Sequence, residues 1–182
     1  VLFRSVAGVE LGLQPHLGKE LPAFAASWPF SFIIGSTHLV DRIDPYDTEK
    51  MMEGRTEEQA YRLYLEEELE NLRLFDCYDV AGHLDYVVRY GPNKNRYYTW
   101  EKYGDVLEEI LKTIVQKGKG IEVNTAGLAK GLGVPHPFPP ALKRYRELGG
   151  EILTIGSDAH TPDALGYGFP EMKDLLKGLG FR

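Results

Sequence analysis

The chain has 182 residues, of which 43% are hydrophobic, 26% charged and 12% aromatic, the make-up of an ordinary globular domain rather than a disordered or fibrous segment. Its formal charge is −6 and Lys and Arg gather on no segment, which argues against an electrostatic grip on nucleic acid or on an anionic membrane. Cys77 is the lone cysteine and forms no internal disulfide, and no ~20-residue apolar stretch marks a membrane span, so a reducing, cytoplasmic setting is expected.

In chain order, apolar segments followed by glycine or polar residues predict strands over 6–11, 30–36, 78–82, 120–124 and 152–157. A helix over 56–74 opens with a Thr56-x-x-Gln59 capping box and aligns Tyr61, Tyr64, Leu65, Leu69 and Leu72 on one stripe. Within it, the acidic run Glu66-Glu67-Glu68 reads as a solvated face. A helix over 99–116 carries Tyr103, Val106, Leu107, Ile110, Leu111, Ile114 and Val115 at unbroken helical spacing and stops at Gly118. Pro139-Pro140 starts another, with Leu142, Tyr145 and Leu148 inward, and a last one covers about 171–179. Strands alternating with helices imply a single α/β domain of parallel strands, either an open doubly wound sheet or part of an α/β barrel. The chain begins Val1-Leu2-Phe3-Arg4-Ser5, without a methionine, and enters a strand at once, so it is expected to start inside a longer domain.

Chemistry-bearing residues recur at the strand ends. The first strand leads to Glu10, the second to His38, the third to His83 and Asp85, the fourth to Asn124 and Thr125, and the fifth to Asp158 and His160. In a parallel barrel these ends share one face, where such folds carry out their chemistry, so the side chains are expected to meet. Imidazoles and carboxylates together are ligands for zinc, manganese or iron, and the lack of a cysteine among them favours an open catalytic site over a closed structural one. Asp85 is expected to support an imidazole N–H as an acceptor behind the ligands. His16, in a loop, and His136, between two prolines, occupy no equivalent slot and receive no role. Cys77 reads as a small core residue.

Gly8-Val-Glu10, Ile34-Gly-Ser-Thr-His38, Gly82-His83-Leu-Asp85, Glu122-Val-Asn124-Thr-Ala-Gly127-Leu128 and Gly156-Ser-Asp158-Ala-His160-Thr-Pro162, in this order, resemble the polymerase-and-histidinol-phosphatase (PHP) family, in particular its histidinol-phosphate phosphatase branch. The resemblance covers about 6–182. It implies a distorted seven-stranded (βα) barrel with a cluster of three divalent metals, of which this chain would hold the C-terminal two-thirds, without the first βα units and the final strand. It makes Glu10 a carboxylate bridging two metals, His38 and His83 ligands of one metal, and Asp158 and His160 ligands of the remaining sites. Five of about nine ligands are then in hand, and little or no turnover is expected of the chain alone.

The activity implied is metal-assisted hydrolysis of histidinol phosphate to histidinol and phosphate, with Glu10, Asp158 and His160 at the reacting centre. Ser36 and Ser157 lack the Gly-x-Ser-x-Gly elbow of a nucleophile and read as loop-shaping residues. Asn124, matching a family motif, and Arg55 and Lys130, in connections on the mouth side, are the expected substrate contacts, although family members often have arginine near position 130. The alternatives are a PHP-type phosphodiesterase or nuclease, for which this acidic chain shows no basic or aromatic track, and a noncatalytic metal-binding remnant. Oligomeric state is not legible.

Overall fold

The computed structural model describes residues 5–181. Five parallel strands, β1 (Gly8–Gly12), β2 (Phe32–Ser36), β3 (Val80–Ala81), β4 (Gly120–Asn124) and β5 (Leu153–Gly156), lie side by side in the order β1-β2-β3-β4-β5. A doubly wound sheet reverses its strand order at a switch point. This sheet never does, so its topology is that of a barrel, open between β1 and β5 among the described residues.

Period-two alternation gives the sheet two unlike faces. In register with one another, Leu11, Gly35, Ala81, Ile121 and Leu153 face one way, with Val123 and Ile155 two residues on. This is the side that meets the helices and builds the apolar core. The opposite face carries Glu10, Ser36, Glu122 and Thr154, and Gly82 continues it beyond β3.

The helices are α1 (Glu20–Ser27), α2 (Thr48–Met52), α3 (Glu57–Leu74), α4 (Trp100–Gln116), α5 (Ala126–Ala129), α6 (Pro139–Glu147) and α7 (Phe169–Gly178). At α3 both halves of the expected capping box form, Thr56 Oγ1 accepting from the Gln59 amide at 3.2 Å and Gln59 Oε1 from the Thr56 amide at 2.9 Å. The α4 stripe is buried as its spacing required, except that Val115 at its end is only partly so, and α4 packs between α3 and α6. Weak or short helices, α1, α2 and α5, escaped the sequence reading. Lys19 caps α1 without a side-chain bond, and none of its eight residues is fully buried.

One expectation is corrected within α3. Glu66 is solvated, but Glu68 is fully buried, because it falls on the inward side with Tyr61, Tyr64, Leu65 and Leu72. Tyr64, Glu68 and Asn71 make a polar stripe behind the strand ends. Tyr64 donates its hydroxyl to the Thr37 carbonyl at 2.8 Å, and Asn71 Nδ2 donates to Thr37 Oγ1 at 2.9 Å and to the Leu13 carbonyl at 3.2 Å. The helix thereby fixes the segments that follow β1 and β2, the second of which carries His38. Cys77 is partly buried against the core, as expected.

Candidate metal centre and anion-binding cleft

The polar face of the sheet and the loops beyond it enclose a cleft of about 700 Å³. Glu10 projects from within β1, while His38 and His83 each stand two residues past the ends of β2 and β3. Their side chains converge. The two Nε2 atoms are 3.1 Å apart, and Glu10 Oε1 lies 3.3 Å from that of His38 and 3.2 Å from that of His83.

Ligand atoms held about 2.1 Å from a tetrahedral cation stand roughly 3.4 Å from one another. The triangle therefore has nearly the dimensions of one face of such a coordination shell. Two imidazoles and a carboxylate suit zinc and other first-row divalent ions, and three protein ligands leave a position open. The residues present fit a divalent metal ion. Hydrogen bonds from His38 and then His83 hold the Glu10 carboxyl far below the usual carboxylate range, against the opposing effect of burial, so it is ionised and ready to ligate.

Local structure accounts for this arrangement. Glu122, inward on β4, accepts from the His83 backbone N–H at 3.1 Å and from Asn124 Nδ2 at 3.1 Å. Gly82 lets the chain pass close to β2 just before His83, since a Cβ there would overlap the Ser36 hydroxyl. The Tyr86 ring packs against both imidazoles, with centroids 5.4 Å from His38 and 4.8 Å from His83.

Asp158, His160 and Lys130 line the same cleft as Glu10 and His38. The strand ends thus share one face, as expected, but Asp158 and His160 stand apart from the three-residue cluster. Asp158 adopts left-handed backbone geometry, φ 50°, and its Oδ2 accepts from Arg89 Nη1 at 3.2 Å. His160 is exposed, its Nδ1 2.9 Å from the Asp158 carbonyl. Asn124 is buried and does not line the cleft; its carboxamide joins Glu122 to the Ala126 N–H at the start of α5. Arg55 also lies outside the lining, with Nη1 3.5 Å from the Met51 carbonyl. Ser157 Oγ accepts from the Gly166 amide at 3.2 Å, a loop-shaping contact.

Arg89 was missed by the sequence reading. It ends a 3-10 turn, Tyr86–Arg89, with its side chain only 3% exposed and its guanidinium over the Tyr86 ring at 4.7 Å. No strand-end rule points to it. Beside it lies His136, set aside in the sequence but fully buried here. Its Nδ1 meets Asp85, so Asp85 does support an imidazole, though not one of the cluster. His16, by contrast, is exposed and outside the cleft.

The sequence profile of the PHP domain matches residues 3–126. The histidinol-phosphatase of Lactococcus lactis is 32% identical over 174 residues, covering 96% of this chain and 64% of the relative. A Clostridium acetobutylicum protein named "Probable histidinol-phosphatase" is 32% identical over 170 residues, 93% of this chain and 65% of its own length. The chain therefore spans a little under two thirds of these relatives. The crystal structure of the Lactococcus lactis histidinol phosphate phosphatase, complexed with zinc, L-histidinol and phosphate, superposes with a TM-score of 0.85 at 32% identity, over 97% of this chain and 67% of that one. With the profile match extending over most of the chain and the ligand triangle lying where the strands end, this chain belongs to the PHP domain family.

Proposed function

We propose that this chain serves the metal-dependent hydrolysis of histidinol phosphate to histidinol and phosphate. The observation that carries this reading is one cleft lined by Glu10 and His38, two members of the metal-sized triangle they form with His83, and by the guanidinium-bearing Arg89. The relative whose structure is similar binds zinc, L-histidinol and phosphate, which supports the same ligands here.

Divalent cations in such a site supply Lewis acidity and lower the pKa of water toward neutrality. The chain's own residues do the rest. Glu10, His38 and His83 hold a cation, with Asp158 and His160 placed to serve further ions, to a proposed total of three, zinc, manganese or iron. Arg89, in the cleft lining, offers its guanidinium charge to a phosphoryl group, in surroundings where water competes little. Lys130 lines the cleft as a second cation for the substrate. Asn124 acts by orienting Glu122, and Arg55 has no contact that assigns it to the substrate. Tyr86, Tyr90 and Tyr167 line the remaining wall and give the organic part of a small substrate apolar surface with hydroxyl edges. A reducing cytoplasm remains the proposed setting; no described helix is long and apolar enough to cross a membrane.

The test is phosphate release from histidinol phosphate by a chimera in which the uncovered third of the Lactococcus lactis relative completes this chain. Chelator-sensitive turnover supports the reading, with little or none from the chain alone. A folded, zinc-loaded chimera that releases no phosphate overturns it.

A further inference from the structure

Arg89 is held from behind by a buried pair, His136 and Asp85. Its Nε lies 3.3 Å from His136 Nε2, and the opposite ring nitrogen, Nδ1, meets Asp85 Oδ1. Asp85 uses its other oxygen to accept the Phe138 amide at 2.9 Å. All three side chains are buried, and together they tie the third strand's loop to the segment before α6.

The protons on this chain follow from elementary chemistry. Guanidinium has donors and no acceptor, so His136 Nε2 must be bare to receive the Arg89 Nε–H. The imidazole proton therefore sits on Nδ1, where the Asp85 carboxylate accepts it. Burial pushes His136 below the ordinary histidine range, with Asp85 opposing, and an uncharged ring is what the guanidinium beside it requires. Arg89 Nη1 is separately engaged by Asp158. With Nε and Nη1 both anchored, the planar guanidinium has one orientation where Arg89 lines the cleft.

We propose that His136, fixed as its Nδ1–H tautomer by Asp85, is a positioning residue that aims Arg89 at the anionic group of the substrate. The inference rests on the proposed function for the identity of the anion, but the tautomer and the Arg89 bond are properties of the chain itself. His136 touches no reacting atom. Its work is to keep a flexible side chain in one orientation before substrate arrives, so that less freedom is lost on binding.

Two measurements on the intact chain test this. Long-range 1H–15N correlation should show His136 with a protonated Nδ1 and a bare Nε2, and the Arg89 Nε–H should exchange slowly with solvent. In titration of the zinc-loaded chain with inorganic phosphate, His136→Leu should weaken binding about tenfold, a typical charge-assisted hydrogen bond. His136→Gln, which returns an acceptor near the Nε2 position, should recover most of that loss. An Nε2–H tautomer, or a Leu variant that folds and binds phosphate like the parent, overturns the proposal. Should the parent bind no phosphate, the proposed function fails, and the tautomer and Arg89 exchange still decide whether His136 positions Arg89.

Discussion

Arg89 Nη1 and Asp158 Oδ2 stand 3.2 Å apart although they are 69 positions apart in sequence, and this bond ties the loop that follows β3 to the one that follows β5. The guanidinium is nearly buried and Asp158 about one-fifth exposed, so each neutralises a charge the other would leave poorly solvated.

Arg89→Ala should therefore cost more than a surface ion pair would. It strands Asp158 and removes the donor to His136 Nε2, and a loss of about 3 kcal/mol in unfolding free energy is expected. Arg89→Lys keeps the charge but cannot reach His136 and Asp158 with a planar fork, so phosphate affinity should still fall while stability partly recovers. Urea unfolding and phosphate titration measured together check this. Equal phosphate affinity in parent and Lys variant would contradict the role given to the guanidinium.

Glu10→Gln should lower zinc affinity by about a hundredfold or more, because it preserves shape while removing the one negative charge of the triangle. His83→Ala removes one ligand from the same cation and should act in the same direction. Competition with a chromophoric chelator reads both. In the completed chimera, Glu10→Gln should also lose turnover, since it removes the carboxylate charge that would hold the cation.

How much of this was legible in the sequence depends on whether a residue obeys a periodic rule. The capping box at Thr56 and Gln59 and the stripe of α4 formed as expected, because both are set by local spacing. Glu10, His38 and His83 could be grouped because each was indexed to a parallel strand whose end shares one face with the others, although Glu10 stands in the middle of β1 rather than at its end. Arg89 obeys no such rule. It sits on a 3-10 turn inside the long β3–β4 connection, and only tertiary packing against Tyr86, His136 and Asp158 gives it a purpose. His136 lay hidden for the same reason, between prolines with no strand to index it. Glu68 was misread because a charged run suggests solvent, whereas helical phase puts its third member on the buried side.

Glu68 gives the chain a pH-dependent stability. Burial pushes its carboxyl up to about 8, from an ordinary value of 4.5, so the folded chain holds a proton that the unfolded chain releases. Stability from this group is complete below about pH 4.5 and is lost as pH rises toward 8. Glu68→Gln, neutral at every pH, should flatten this fall and be more stable than the parent near pH 8. Chemical unfolding of both proteins across pH 5 to 9, approximately, checks it; parallel curves would contradict the buried acid.

Gly156→Ala should damage the centre from a distance. A Cβ at this position on β5 would overlap the Glu122 carboxylate, which accepts from the His83 backbone and from Asn124. Displacing Glu122 frees the loop carrying His83, and zinc affinity should fall by about tenfold, the usual lower range for losing a group that orients a ligand. Zinc titration of the folded variant measures this; unchanged affinity would show that Glu122 does not hold His83 in place.

The most direct test of the account is zinc X-ray absorption on the chain itself, compared with its His38→Ala, His83→Ala double variant. The account predicts a zinc shell of nitrogen and oxygen at about 2.0–2.1 Å with the scattering signature of two imidazoles, lost in the double variant. A parent spectrum without imidazole scattering, or one that survives both substitutions, would contradict a metal centre built on Glu10, His38 and His83.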